Sequence, residues 1–354
     1  MSEVYKKFSP ELYEAVYKVD EEHNGLRLDQ YCATFLGTWS RQAIKKKIKD
    51  GEIKILSRPY PHKPSVKVYH REQIEIKTLK GSLEDEYWNG EKVNLQLNPD
   101  IIFEDDDLIV ISKPSYMATH PTGRHLFNCA TVFFEHKYNK TIHSIHRLDR
   151  ETSGVLLLAK NTKAAHLYTS LFEKDQVSKC YFFIGKKKDD LVFPLVANER
   201  LGVIDDYIPR NFNHCFAEDS KDGKHAQTTF TDLFSDEQYI IGLAFPKTGR
   251  QHQIRCHAAA HGFPLVGDKL YNGDPRVFMR FKDLIPTKED HELMEIPRHA
   301  LHALALKTKS STEEKLFKAP LPSDFIEFIK TNIPKANLQN IEKLIDKSLK
   351  ERFA

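Results

Sequence analysis

Five consecutive apolar residues, Val155-Leu156-Leu157-Leu158-Ala159, follow directly on a charged stretch, His143-Ser144-Ile145-His146-Arg147-Leu148-Asp149-Arg150-Glu151-Thr152-Ser153-Gly154. That junction constrains the fold more than any other part of the chain. A short apolar run bounded by turn residues reads as a buried strand. The Thr-Ser-Gly turn before it would then hold the Asp149 carboxylate at the rim of a sheet, where clefts form. With Arg147 and Arg150 on either side, that carboxylate is expected to be ionised. Local chemistry alone fits a surface loop with a solvated Arg–Asp pair equally well.

At 354 residues the chain is long for one domain, and two are expected. Hydrophobic residues make up 40% of it, enough for a packed core. A net charge of +3 says little about partners until its distribution is read. No run of eighteen apolar residues exists to span a membrane, and the N-terminus carries no secretory signal pattern. The five cysteines, Cys32, Cys129, Cys180, Cys215 and Cys256, are scattered and lack CxxC spacing. That argues for a reducing compartment and against a disulfide frame or zinc site. The expectation is a soluble, cytoplasmic protein.

Residues 1–20 show no clear periodicity. Leu26, Leu28, Tyr31 and Phe35 suggest a first helix broken near Gly37. Ser40 suits the N-cap of a second, Arg41 to Lys49, with Ile44 and Ile48 on one face. Asp50-Gly51 ends that helix in a turn, and Ile53, Ile55, Val66, Val68, Ile74 and Ile76 alternate as short strands would. Residues 41–80 hold twelve Lys/Arg against four Asp/Glu, a local excess of eight. A helix bearing Arg41, Lys45, Lys46 and Lys49 can present a cationic face to phosphates, or simply a solvated one. The stretch 81–99 is acidic, polar and linker-like.

Ile101 to Ile111 reads as strand, acidic turn, strand, and the run from Lys113-Pro114 to His120-Pro121-Thr122-Gly123 as a shaped loop. Past the central junction, a helix ending near Lys174 and a strand from Val177 to Gly185 are expected, with Tyr181 and Cys180 on opposite faces. Residues 186–224 are charged and irregular. Lys247-Thr248-Gly249-Arg250 then opens a polar helix over Gln251 to Ala260, a setting that suits an anion. His252, His257 and His261 lack the spacing and the carboxylate of known zinc helices. Leu338 to Phe353 looks like a basic amphipathic helix.

The stretch His146-Arg147-Leu148-Asp149-Arg150-Glu151-Thr152-Ser153-Gly154 resembles, residue for residue, the catalytic motif of the RluA-type pseudouridine synthases. Lys113-Pro114 leading to His120-Pro121 is similar to the family's first motif, with Tyr116 where a glycine is common. Lys179-x-Tyr181 resembles its second motif. Lys247 to His257, continuing to Gly267-Asp268, is similar to the third, and Arg298-His299-Ala300-Leu301-His302-Ala303 to the next block. Gly25 to Tyr31, Ser40-Arg41 and Ile48 to Gly51 resemble the alpha-L RNA-binding module. The usual Val-x-Val-Asn-Gly after it is replaced by Glu52 to Ser57 and an insert with Pro59, Pro61 and Pro64. These matches span about Gly25 to Pro322.

The resemblance implies an α+β fold: a mixed, largely antiparallel sheet catalytic domain with flanking helices and a central cleft, plus a small N-terminal α/β RNA-binding domain. It implies a division into 1–24 (extension), 25–80 (RNA-binding), 81–99 (linker), 100–325 (catalytic) and 326–354 (helical extension). It implies an isomerase that converts specific unpaired uridines of ribosomal or transfer RNA to pseudouridine, without cofactor, metal, membrane or obligatory protein partner. Asp149 would act as nucleophile or base, Arg255 would pair with it, and Tyr181 would stack on the extruded base and help remove its carbon-5 proton. Arg147 would fill the vacated place in the RNA, and Arg41, Lys45, Lys46, Lys49 and Arg250 would contact RNA. The alternative is an inactive RNA-binding protein that keeps the fold. A deaminase is disfavoured by the missing His-x-Glu and Pro-Cys-x-x-Cys signature.

Overall fold

The computed structural model describes residues 2–36, 39–81, 84–122, 125–188, 190–204, 209, 212–309 and 313–353. The chain divides into two compact units: Met1–Asp85 with Met117–Ile142, and Glu86–Tyr116 with His143–Ala354.

In the first unit, β1 (Ser2–Phe8), β2 (Leu12–Lys18), α1 (Leu28–Ala33), α2 (Arg41–Lys49), β3 (Ile53–Ile55) and β4 (Gln73–Leu79) are joined by α3 (Ala130–Tyr138). The strands form an antiparallel sheet in the order β1-β2-β4-β3. The hairpin of β1 and β2 occupies the stretch in which the sequence showed no periodicity. Its inward positions are Tyr13, Ala15 and Tyr17, so the alternation is carried partly by tyrosines, whose polar tips blur the pattern. These residues pack with Leu28, Tyr31, Ile44, Ile48, Ile74 and Ile76 in one core. Helix α2 starts at Ser40, whose Oγ accepts a hydrogen bond from the Ala43 amide at 3.2 Å. The expected break near Gly37 lies outside the described residues, as does Gly123 of the loop after Lys113; α1 already ends at Ala33.

The second unit begins with a hairpin of β5 (Tyr87–Trp88) and β6 (Glu91–Lys92), so the linker-like stretch contains ordered structure. Its large sheet uses β7 (Asp100–Glu104), β8 (Leu108–Lys113), β9 (His143–Ser144), β10 (Ser153–Ala159), β11 (Val177–Lys186), β12 (Leu195–Ala197), β15 (Thr228–Ser235), β16 (Tyr239–Pro246), β17 (Leu301–Lys309) and β18 (Glu314–Lys318). Strands β13 (Arg200–Gly202) and β14 (His214–Phe216) pair separately within the region read as irregular. The main path runs β12-β15-β16-β11-β17-β10-β8-β7, with β18 beside β17 and β9 beside β10. Every described pairing in it is antiparallel except β10 with β17. Helices α4 (Thr162–Glu173), α5 (Gln253–Ala260), α6 (Arg276–Lys282), α7 (Lys288–Met294), α8 (Ser323–Asn332) and α9 (Leu338–Arg352) flank it. Ile341, Ile345 and Leu349 bury the apolar stripe of α9 in the core that contains Phe182, Leu243 and Phe325.

The two strands that frame the site meet at Gly154. Its φ is +108°, and a Cβ there would stand 2.2 Å from the Ala303 carbonyl oxygen. Only a residue without a side chain lets β10 approach β17 this closely. The apolar run Val155 to Ala159 is fully buried between β8 and β17, as expected for a central strand.

Candidate active site

The turn between β9 and β10 carries Arg147, Leu148 and Asp149, and Leu148 is buried while Arg147 is exposed. Thr152 fixes the end of the turn: its amide donates to the Asp149 carbonyl at 3.1 Å, and its hydroxyl meets His299 Nε2 at 2.7 Å. Lys113, fully buried at the end of β8, donates to the carbonyls of Pro114 and Arg150 at 3.0 and 3.1 Å. The backbone around Asp149 is thereby held from β8 and from the segment that leads into β17.

The Asp149 carboxylate accepts a hydrogen bond from Arg255 Nη1 at 3.0 Å. Arg255 comes from α5, 106 residues further along the chain, and is itself anchored by Asp268, whose two oxygens accept from Nε at 2.7 Å and Nη2 at 2.8 Å. Asp268 also accepts from the amides of Leu270 and Tyr271, at 3.0 and 3.1 Å. This second carboxylate was visible in the sequence only as the end of a Gly-Asp pair, and nothing in its spacing from Arg255 announced the contact. The guanidinium lies 5.3 Å from the centre of the Tyr271 ring.

Burial pushes the Asp149 carboxyl up, but its neighbours His252, Arg255 and His299 hold it well below the usual carboxylate range. The standing charge among them is Arg255. Burial and the Arg255 charge push His252 down to about 4, so its imidazole is neutral near pH 7, and burial lowers His299 as well. Asp149 is therefore an ionised carboxylate, about one quarter exposed, facing a cleft.

Tyr181 stands on β11, in register with Ala244 of β16 and Ala303 of β17, at a bulge that follows Cys180. Cys180 packs in one core cluster and Tyr181 against another, which places them on opposite faces of the strand. Burial, then the charge of Asp149, push the Tyr181 phenol well above its ordinary value. The cleft that Asp149 and Tyr181 line measures about 170 Å³ and also takes in Arg147, Lys179, Arg250, His252 and Arg255. Lys179 Nζ donates to the Thr248 carbonyl at 3.1 Å, and Gln253 ties down the turn beside it, accepting from Thr248 Oγ1 at 2.7 Å and from the Arg250 amide at 2.9 Å. Arg250 Nε donates to the His225 carbonyl at 2.9 Å.

Asp149, Tyr181, Arg255, Arg147 and Arg250 thus share one cleft. The cations of α2 belong to the other unit. There Arg41 and Lys45 are drawn towards the fully buried Asp29, at 3.4 and 4.0 Å, and Lys46 pairs with Asp50 at 3.1 Å. Lys49 is exposed and makes no ion pair among the described residues. Of the three histidines on and beside α5, His252 faces Asp149, His257 meets Thr228 Oγ1 at 3.0 Å, and His261 meets Glu199 at 2.8 Å.

Residues 107–260 match the model of a family described as RNA pseudouridylate synthase. Over 328 residues the chain is 32% identical to the ribosomal large subunit pseudouridine synthase D of Vibrio cholerae serotype O1, covering 89% of this chain and 93% of that one. It is 35% identical over 176 residues to the mitochondrial tRNA pseudouridine(32) synthase of Saccharomyces cerevisiae, covering 49% of this chain and 37% of that one. The solved structure of human RNA pseudouridylate synthase domain containing 4 superimposes with a TM-score of 0.51 at 25% identity, over 65% of this chain and 92% of that one.

Proposed function

This chain belongs to the RNA pseudouridylate synthase family, and is an RNA isomerase of the RluA type; on that premise we propose that Asp149 is its catalytic carboxylate and that its target is an unpaired uridine of ribosomal or transfer RNA. The observation that carries the reading is the Asp149 carboxylate, ionised and aimed by Arg255, in a cleft that Tyr181 also lines.

The reaction requires the uracil to leave N1, turn over and reattach through carbon 5. No redox change occurs and no group arrives from outside, so the chemistry can be carried by side chains. A carboxylate at the ribose can act as nucleophile or base while the uracil is detached. A planar guanidinium fixes its direction better than the point charge of a lysine. The neutral Tyr181 ring offers a stacking face for the extruded base, and the exposed Arg147 beside it is long enough to occupy the place the nucleotide leaves. Unpaired nucleotides cost less to extrude than paired ones, which favours a loop or bulge. The named substrates of the relatives, ribosomal large subunit and tRNA, support the two RNA classes.

The test is tritium release from RNA labelled at carbon 5 of uridine. Asp149→Asn is expected to fold and bind RNA as the parent does and to release no tritium. Release at the parental rate would remove Asp149 from the mechanism. Parental protein that binds RNA but isomerises none of the uridines in total ribosomal or transfer RNA would favour the non-catalytic reading.

A further inference from the structure

We infer that His252 is the base that takes the carbon-5 proton once the uracil has been reattached, through the Nε2 that lies 3.9 Å from Asp149 Oδ2 at the wall of the cleft. This rests on the isomerase reading and assigns a step within it.

The proton balance defines what the base must do. The N1–C1′ bond breaks with its electron pair on N1, and C5–C1′ then forms, leaving carbon 5 with both its hydrogen and the ribose. The C5–H bond must break next, its pair closing C5=C6 while the C6=N1 pair shifts onto N1. The base accepts the C5 proton and N1 takes one up, so an imidazolium can return its proton to N1, directly or through water. No proton is gained or lost overall, and no other reactant is needed.

The cleft contains few groups that can accept that proton. Arg147, Arg250 and Arg255 are cations. Lys179 is committed to the Thr248 carbonyl. The Tyr181 phenol keeps its own proton, because burial and the Asp149 charge disfavour its ionised form, so it has no basic site to offer. Asp149 is engaged by Arg255 and, in the proposed reaction, is committed to the ribose and not to carbon 5. His252 differs from all of these in carrying a neutral imidazole.

Its ring is also positioned. Nδ1 lies 3.2 Å from the Tyr271 hydroxyl, which in turn accepts from the Asn213 amide at 2.9 Å. Nδ1 and the Tyr271 hydroxyl can share a proton in either direction, and the Nδ1–H tautomer is the one in which Nε2 carries the lone pair the step needs. The charged groups around the ring are Asp149, Asp268 and Arg255, with His299 as a further titratable neighbour. The backbone of His252 adopts φ +55°, ψ +19° at the start of α5, a left-handed conformation that histidine, like asparagine and aspartate, enters more readily than most residues other than glycine. The ring lines the cleft, its Nε2 on the side of Asp149.

The same left-handed backbone supplies variants that fold, since asparagine and glycine tolerate it. Single-turnover isomerisation is compared on RNA carrying hydrogen or deuterium at carbon 5. In His252→Asn the rate is expected to fall roughly 10²-fold or more, the deuterium isotope effect to rise above the parental one, and RNA affinity to stay as it was. Added imidazole is expected to restore turnover in His252→Gly. A His252→Asn protein whose isotope effect equals the parental one overturns the inference, and so does a rise confined to Tyr181→Phe. Parental protein that isomerises no uridine would instead defeat the isomerase reading itself, before any variant is compared.

Discussion

Arg255 reaches Asp149 with one N–H while Asp268 holds the opposite edge of the same guanidinium through two hydrogen bonds, at 2.7 and 2.8 Å. The asymmetry separates two tasks. The bidentate grip on a fully buried carboxylate fixes where the guanidinium sits, and the single remaining hydrogen bond tells the Asp149 carboxylate where to point. Asp268 is thus a positioning residue, acting on the reacting centre through Arg255.

Asp268→Asn keeps the shape but surrenders one acceptor and the charge. The Arg255 group is then free to shift towards Asp149. A displacement of about 1 Å at a reacting group can cost roughly 10²-fold in rate, so the single-turnover rate constant is expected to fall by about that factor at saturating RNA. Removing one partner of a buried pair also destabilises, by about 3–5 kcal/mol in typical cases. Urea unfolding and rapid-quench kinetics read the two effects separately. A stability loss with an unchanged rate constant would make Asp268 structural alone.

Gly154→Ala is expected to damage the site from behind. The new methyl would meet the Ala303 carbonyl oxygen at 2.2 Å, in a backbone conformation that L residues rarely adopt. Overpacking and backbone strain together should cost about 3 kcal/mol or more. A denaturation midpoint within experimental error of the parent would show that β10 and β17 can separate without penalty.

The cations of α2 make unequal predictions. Each RNA phosphate that a lysine no longer neutralises should make the salt dependence of binding shallower by roughly one unit of log–log slope. Lys45 and Lys46 already have carboxylate neighbours within the protein, whereas Lys49 has none among the described residues. Lys49→Ala is therefore expected to change the slope more than Lys45→Ala or Lys46→Ala. Titration of labelled RNA over a range of salt concentrations measures this, and equal slopes for all four proteins would leave α2 an ordinary solvated surface.

Acid should weaken the second unit before it protonates Asp149. His302 is fully buried, its Nδ1 2.8 Å from Ser153 Oγ, and burial pushes it down to about 3. An unfolded chain binds that proton near pH 6.5, so the unfolded state gains protons first and stability falls as pH drops below that value. The contribution from His302 alone is on the order of 2 kcal/mol by pH 5. Urea midpoints measured from pH 7.5 to 5 should decline, and His302→Asn should flatten the decline. A midpoint independent of pH would contradict the burial of a neutral imidazole there.

The local parts were legible in the chain alone. The strand after Gly154, the Ser40 cap of α2, the hairpin of β7 and β8 and the amphipathic stripe of α9 follow from periodicity and turn chemistry, which act between residues a few positions apart. The pairing of Asp149 with Arg255 was foreseeable through the resemblance of two motifs, not from either motif's own chemistry. Tertiary structure decided what depends on distant chain segments meeting. Asp268 became the anchor of Arg255, His252 turned towards Asp149, and Glu86 came to hold Arg150 at 2.6 Å, leaving Asp149 to Arg255. It also turned the unpatterned first twenty residues into a hairpin, because tyrosines supply buried area without looking apolar in the chain. A charge in a sequence shows only that a partner is needed; which partner it receives is settled by the fold that buries it.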